Sequence, residues 1–458
     1  MQKIASTFIK YIDLALLENW SVQSLLDAQF NYSNKYKLAR IGDFLLKSRN
    51  VIDIEDDKVY NRVTIKINNN GVVRRDTEKG ANIGTKKQYL AKEGQFIISK
   101  IDARNGAFGI IPKELDQAIV TNDFPLFDVK IDKINPQFLL LITTTKVFIK
   151  FAQSCSSGTT NRQRMDIDMF LNQKIPLPTL EEQNQIVYNY FDKINQAQSL
   201  STQASDLKEE IEQYLFNSLG LIKVKCKTKK KTGLQLVNFI EVQEWGLDKI
   251  LSFSNKSSSK YPLVSIEEQP LLALSLFRGK SPKYKIGTTS FILNQKCNRW
   301  NNIDLSFVKS VDKVWLDSTD VDNLTKEGDV LINSTGEGTI GRASFITKDF
   351  EGLLYDSHLL LLRFNRTLFN PELFVEIFNS EYGQNQVNDI KSAQATKQTE
   401  LGVSNLKKIK FPIPEDIAIQ NAIVTNIKAL RISQIKYLKQ SVFLTEKAEQ
   451  EFEKEIFN

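Results

Sequence analysis

The sequence predicts an α+β fold: two repeated globular domains separated by two long antiparallel helices in a pseudo-twofold arrangement. Three observations support this. Ordered motifs recur at an offset of about 235 residues, each copy ends in a long unbroken helical stripe, and each globular part mixes short strands with short helices.

The repeat is read from ordered matches. KEGQFIISKIDARNGAFGIIP (92–112), VTNDFPLFDV (120–129), NPQFLLLI (135–142) and SSGTTNRQRMDIDMFLNQKIPLP (156–178) form the first copy. KEGDVLINSTGEGTIGRASFI (326–346), LYDSHLLLLRF (354–364), NPELFVEIF (370–378) and SAQATKQTELGVSNLKKIKFPIP (392–414) form the second, in the same order. Gly94 and Gly328, Pro136 and Pro371, Thr160 and Thr396, Pro176 and Pro412, and Pro178 and Pro414 keep a nearly constant offset. Duplication is the simplest explanation. The remaining residues differ, so the scaffold repeats while its surfaces diverge.

Candidate strands are Val63–Ile67, Phe96–Ile101, Phe124–Val129, Val330–Asn333 and Leu359–Phe364, from their apolar and β-branched content. NPQFLLLI and NPELFVEIF read as short helices, each with an Asn cap and Pro in the first turn. Residues 179–219 place Val187, Phe191, Ile194, Ala197, Leu200, Ala204, Leu207, Ile211, Leu215 and Leu219 on one stripe, and Thr179 with Glu182 suggests a capping box. A second stripe, over 415–458, carries Ile423, Ile427, Leu430, Ile435, Leu438, Val442, Thr445, Ala448, Phe452 and Ile456. At ~1.5 Å per residue each helix would be roughly 55–65 Å long. A single stripe needs a partner, and the nearest one is the other helix. The acids Asp206, Glu209, Glu210 and Glu212 match the bases Lys428, Arg431, Lys436 and Lys439 only if the helices run antiparallel. Glu181 and Glu182 would then face the acidic tail of the second helix, so the match is partial.

These readings bound domains at 1–178 and 234–414, helices at 179–219 and 415–458, and a basic linker at 220–233. Lys225, Lys227, Lys229, Lys230 and Lys231 in that linker fit a solvated turn or a phosphate contact.

Composition excludes several classes. Hydrophobic residues make up 41% of the 458, enough for packed cores, which rules out a disordered chain. Three cysteines without a CxxC pair argue against a disulfide framework or structural zinc and suit a cytoplasmic protein. No apolar run is long enough to span a bilayer, and the acids in MQKIASTFIKYIDLALLENW speak against a signal peptide. The net charge of +7 permits nucleic-acid binding without demanding it.

The Gly-led strands EGQFIISK and EGDVLINS, the polar SSGTTNRQRM, and IPLPTLEEQNQIV opening a long helix resemble the specificity (S) subunit of type I restriction-modification systems. The resemblance covers essentially the whole chain in two copies. SAQATKQTEL lacks the glycine, and PEDIAIQNAIV carries an extra residue before Gln420. The resemblance implies a bacterial defence protein whose target-recognition domains each read one half of a bipartite double-stranded DNA sequence. It also implies helices that dock two methyltransferase subunits, and restriction (motor) subunits in the full complex. Catalysis would belong to those partners, as would S-adenosylmethionine, ATP and Mg; no cofactor, metal site or catalytic residue is expected in this chain.

Residues suited to DNA contact sit in the presumed loops, where Arg, Lys, Asn and Gln match base edges and Ser, Thr and Lys suit phosphates. In the first domain they are Arg74, Arg75, Lys86, Lys87, Lys100, Arg104, Asn105, Ser156, Thr159, Thr160, Asn161, Arg162 and Arg164. In the second they are Arg278, Lys280, Lys283, Asn333, Ser334, Thr335, Arg342, Ser392, Gln394, Thr396, Lys397 and Gln398. Asp102 fits either a cytosine contact or a turn.

No active site emerges. The Asn-Pro pairs lack the Pro-aromatic continuation of an adenine methyltransferase, and Gly279-Lys280-Ser281 lacks the upstream glycine of a P-loop. His358 is the single histidine and reads as a structural residue in the strand YDSHLLLLRF, with DNA contact the second reading. Cys155 reads as a buried thiol. Trp20, Trp245, Trp300 and Trp315 read as core or domain-edge packing, with base stacking second. An interaction scaffold that binds protein without reading DNA is the alternative function.

Overall fold

The computed structural model describes residues 30–157, 163–221, 259–318, 324–336, 338–390, 392–393 and 399–457. The chain divides into two compact units, 1–200 with 439–458, and 201–438. In chain order the first contains β1 (Leu38–Arg40), β2 (Leu45–Lys47), β3 (Val51–Asp53), β4 (Val59–Ile65), β5 (Val72–Lys79), β6 (Lys87–Leu90), β7 (Phe96–Ile98), β8 (Phe108–Ile110), β9 (Ile119–Val120) and β10 (Leu126–Val129). There follow α1 (Pro136–Thr143), α2 (Lys146–Ser154), β11 (Ser156–Ser157), β12 (Arg164–Met165), α3 (Ile167–Asn172), β13 (Lys174–Pro176) and the long α4 (Leu180–Leu219). One sheet has the order β2-β10-β7-β8, another β3-β6-β9-β4-β5.

The second unit adds β14 (Leu263–Ser265), β15 (Ala273–Arg278), β16 (Phe291–Ile292), β17 (Lys309–Ser310), α5 (Lys313–Asp317), β18 (Asp329–Asn333), β19 (Ala343–Phe345) and β20 (Leu359–Phe364). Then come α6 (Pro371–Asn379), α7 (Glu381–Ile390), β21 (Ser392–Ala393), β22 (Thr399–Glu400), α8 (Val403–Lys407), β23 (Lys410–Pro412) and α9 (Ile417–Ile456). Its sheet β15-β20-β18-β19 repeats the first unit's β2-β10-β7-β8, and the pairs β14-β23 and β21-β22 repeat β1-β13 and β11-β12.

The apolar runs form strands buried on both faces. Alternating side chains go to opposite sides. Phe96 and Ile98 join Phe138, Phe148 and Phe170 beneath the helices, while Ile97 joins Val63, Ile65 and Val120 of the other sheet. In the second unit Val330, Ile332, Leu360 and Leu362 join Phe374 and Phe411, and Leu331, Leu359 and Leu361 face Leu293 and Tyr355. The recurring glycine is also explained. Gly94 (φ 80°) and Gly328 (φ 97°) hold the same left-handed turn before β7 and β18, where a side chain would be strained.

Both predicted Asn caps are present. The Asn135 carboxamide oxygen accepts from Gln137 N (2.8 Å) and that of Asn370 from Glu372 N (2.8 Å). The Thr179–Glu182 capping box closes reciprocally, at 2.9 Å and 3.3 Å. A repeated glutamine ties each long helix to its own domain. Gln183, fully buried, accepts from Asn135 N (2.7 Å) and donates to the carbonyls of Lys133 (3.2 Å) and Pro178 (2.9 Å). Gln420, equally buried, accepts from Asn370 N (2.8 Å) and donates to Leu368 (3.2 Å) and Pro414 (2.8 Å).

The long helices pair antiparallel within each unit. In the first, Lys193 meets Glu451 (2.9 Å) and Ser441 Oγ donates to the Ala197 carbonyl (2.7 Å). In the second, Gln434 donates to the Ala204 carbonyl (3.2 Å) and Asn426 to Tyr214 Oη (2.7 Å). Two of the bases expected at the seam turn to α6 instead. Lys428 pairs with Glu372 (2.6 Å) and Arg431 with Glu376, both on α6, and Glu212 accepts from the Glu381 backbone N–H (2.8 Å). The predicted seam also slips along α9: Ile435, Leu438 and Val442 are about half exposed, at 46%, 45% and 57%. A stripe spaced by threes and fours drifts around a helix of 3.6 residues per turn, so Gln434 and Ser441 come to the seam there. Among the described residues no helix is long and apolar enough to cross a membrane.

Two further expectations change, and two of the tryptophans can be placed. The span 72–88, read as a loop, is mostly β5 and β6. His358 lies on the turn before β20 rather than in the strand, and it is exposed. Trp300 is 45% exposed, with the Arg342 guanidinium 5.7 Å from its ring centroid, while Trp315 packs against the cluster of Ile292, Val311 and Leu354. Trp20 and Trp245 lie outside the described residues.

Candidate nucleic-acid interface

In the first domain the turn after β7 and the strand β12 come together through the backbone. Met165 N donates to Lys100 O (2.9 Å) and Lys100 N to Asp123 O (2.9 Å). This ladder gathers Lys100, Arg104 and Arg164. Arg164 grips Asp123 side-on, Nε to Oδ1 at 2.9 Å and Nη2 to Oδ2 at 3.2 Å. Arg104 donates to Gln163 Oε1 (3.0 Å), and Gln153 donates to Arg104 O (3.0 Å). Asn105 is exposed on the same turn, while Ser156 Oγ turns back to Ala152 O (2.7 Å).

The electrostatics fit a concentrated cationic surface. Partial burial holds the Lys100 ammonium below its ordinary value, with the neighbouring charges of Lys47 and Arg164 acting in the same direction. The Arg164 hydrogen bonds hold the Asp123 carboxyl below the usual carboxylate range. Sequence reasoning named neither Lys47 nor Asp123. Their role comes from strand pairing rather than from proximity along the chain.

Arg74, Arg75 and Lys87 lie on the five-stranded sheet and Lys86 just before its strand β6. Arg74 and Arg75 are exposed on β5, and Arg75 lies 3.6 Å from Asp76, which already holds Arg62 at 2.6 and 2.7 Å. Lys86 is engaged by Asp56 (2.6 Å) and the Gly80 carbonyl (2.9 Å). Lys87 is exposed at the start of β6. Thr159, Thr160, Asn161 and Arg162 lie outside the described residues.

The second domain repeats the ladder: Leu401 N donates to Ser334 O (2.8 Å) and Ser334 N to His358 O (2.9 Å). Register thus equates Lys100 with Ser334, Asp123 with His358 and Arg164 with Glu400. The charges are rearranged. Glu400 pairs with Arg278, whose Nη2 also donates to Ser334 Oγ (3.0 Å). His358 Nδ1 lies 2.7 Å from Thr335 Oγ1. Lys280 and Lys283 are exposed, and Arg342 donates to Gly338 O (3.1 Å).

Two candidates are corrected here. Asn333 and Ser334 are fully buried. Asn333 is bonded to Asn298 (3.0 Å) and to the Gln295 carbonyl (3.0 Å), and Ser334 Oγ donates to Leu401 O (2.9 Å). Both lie where the β18 turn must satisfy its own polar groups. Ser392 contributes backbone to β21, and Gln394, Thr396, Lys397 and Gln398 lie outside the described residues.

Among the described residues the thiols, Cys155 and Cys297, are embedded, and Cys226 lies outside them. Burial pushes Cys155 up to about 12 and raises Cys297 as well. At pH 8.5 Cys155 is therefore expected to resist maleimide in the folded protein and to label fully in guanidinium, read by mass spectrometry of its peptide. Among the described residues no group of His, Cys, Asp and Glu could hold a metal ion.

A family model described as the type I restriction modification DNA specificity domain matches residues 33–213 and again 278–441. The Type I restriction enzyme HindI specificity subunit of Haemophilus influenzae is 26% identical over 191 residues. That match spans 40% of this chain and 40% of the relative's length. A solved chain from structural work on complex assembly and conformational transition of the type I R-M system is 14% identical and superposes with a TM-score of 0.54. The superposition covers 93% of this chain and 99% of that one, so the fold is shared. The type I restriction-modification S subunit from M. genitalium, 11% identical, superposes with a TM-score of 0.49 over 93% of this chain and 98% of its own.

Proposed function

Because the chain belongs to the type I restriction modification DNA specificity family, we propose that it is the sequence-reading subunit of a type I restriction-modification complex. Each domain reads one half of a bipartite duplex target, and the long helices dock two methyltransferase subunits, with motor subunits joining the full assembly. The chain itself is non-catalytic and acts in the cytoplasm. S-adenosylmethionine, ATP and Mg bind to the partners.

One observation carries this reading. The same backbone ladder is built twice, yet it presents Asp123 and Arg164 in one domain and His358 and Glu400 in the other. A conserved frame with unlike polar faces suits two different half-sites. Base edges are distinguished by donor and acceptor patterns, while cations such as Lys100 supply sequence-independent attraction to phosphates.

Footprinting of the chain assembled with its partner subunits tests the proposal. Two short protected stretches at fixed spacing are expected, weakening steeply as salt is raised. One contiguous footprint, or protection independent of sequence, overturns it.

A further inference from the structure

The Arg164 side chain is about half exposed, at 53%, yet it is not loose. Asp123 takes its Nε and Nη2 hydrogens on one side, at 2.9 and 3.2 Å. Guanidinium is a planar fork of five donors. Side-on pairing therefore leaves the edge between Nη1 and Nη2 unused by Asp123 and holds the guanidinium plane fixed. Two parallel donors of that kind match the O6 and N7 acceptors of guanine in the major groove. The neighbouring ammonium groups of Lys47 and Lys100 are flexible point charges, better suited to phosphates. Asp123 is itself tied down, because its carbonyl accepts from Lys100 N (2.9 Å).

The equivalent position in the second domain carries Glu400, and the place of Asp123 is taken by His358. There the carboxylate belongs to the opposite partner and holds Arg278 instead. Arg278, from a different strand, is fixed at this place, its Nε donating to Ser357 O (2.7 Å) and its Nη2 to Ser334 Oγ (3.0 Å).

We propose that Arg164, aimed by Asp123, is a specificity-determining residue that selects guanine at one position of the first domain's half-site. This rests on the function proposed above.

Selection of random-sequence DNA duplexes by the full-length chain, assembled with its partner subunits, tests it. Wild type is compared with Arg164→Lys, Arg164→Ala and Asp123→Asn. The wild-type motif should contain a guanine whose enrichment falls about ten- to hundredfold in both Arg164 variants. Asp123→Asn should weaken the same position to a smaller degree, and the other half-site should keep its wild-type weights in all three. Arg164→Lys retains the charge but not the fork. Loss of preference at one base with overall binding preserved therefore separates base reading from phosphate contact. Thermal melting confirms the fold of each variant. If Arg164→Ala does not fold, the lysine and asparagine variants decide the matter. Unchanged position weights overturn the proposal, as does uniform weakening across all sequences. If wild type enriches no sequence at all, the proposed function itself fails, and this inference with it.

Discussion

Asp329→Ala is expected to destabilise the second domain by about 3–5 kcal/mol. Asp329 is 1% exposed and binds Arg363 in a two-pronged pair, at 2.7 and 2.8 Å, while also accepting from Lys326 N at 2.7 Å. Removing the carboxylate strands a guanidinium that is only 18% exposed. The first domain solves the same position differently. Gln95 accepts from Lys92 N (2.9 Å) and donates to Asp128 (2.8 Å), and the strand register equates Asp128 with Arg363. The double variant Asp329→Gln, Arg363→Asp should therefore recover much of the loss, because it transplants a pairing the scaffold already supports. Urea unfolding of the three proteins, followed by far-UV circular dichroism, measures both effects. An Asp329→Ala midpoint equal to wild type would contradict the assignment.

Gln420→Ala is expected to cost about 2–4 kcal/mol, and Gln183→Ala a similar amount, because each leaves buried backbone groups unpaired. Gln420 serves the N–H of Asn370 and the carbonyls of Leu368 and Pro414. Leucine at either position should be no better, since the loss lies in unsatisfied polar atoms rather than in volume. The expected signature is local. Amide exchange of Asn370 should accelerate in the Gln420 variant, and that of Asn135 in the Gln183 variant. Uniform acceleration throughout the domain would indicate general unfolding instead.

The duplication, the two long helices, their Asn-capped neighbours and most core strands were legible in the sequence, because they rest on periodicity and capping chemistry. Leu359–Phe364 coincides with the observed strand, and the others shift by a few residues at their ends. The polar surface was less legible. Asn333 and Ser334 look like groove-contacting residues in a turn, but the turn uses them internally. Lys47 and Asp123 were missed because antiparallel pairing brings β2, β10 and β7 together across long stretches of chain. The helix direction was anticipated from charge, although α6 takes up Lys428 and Arg431.

The backbone ladders beneath Arg164 and Glu400 have an evolutionary consequence. The bonds Met165 N to Lys100 O and Leu401 N to Ser334 O do not depend on which side chain residue 164 or 400 carries. The half-exposed Arg164 side chain can change at little cost in folding energy, since surface replacements usually alter stability by less than about 0.5 kcal/mol. Mutational tolerance and the power to alter the target thus fall on the same position. A lineage could drift to a new preference one substitution at a time without passing through an unfolded intermediate.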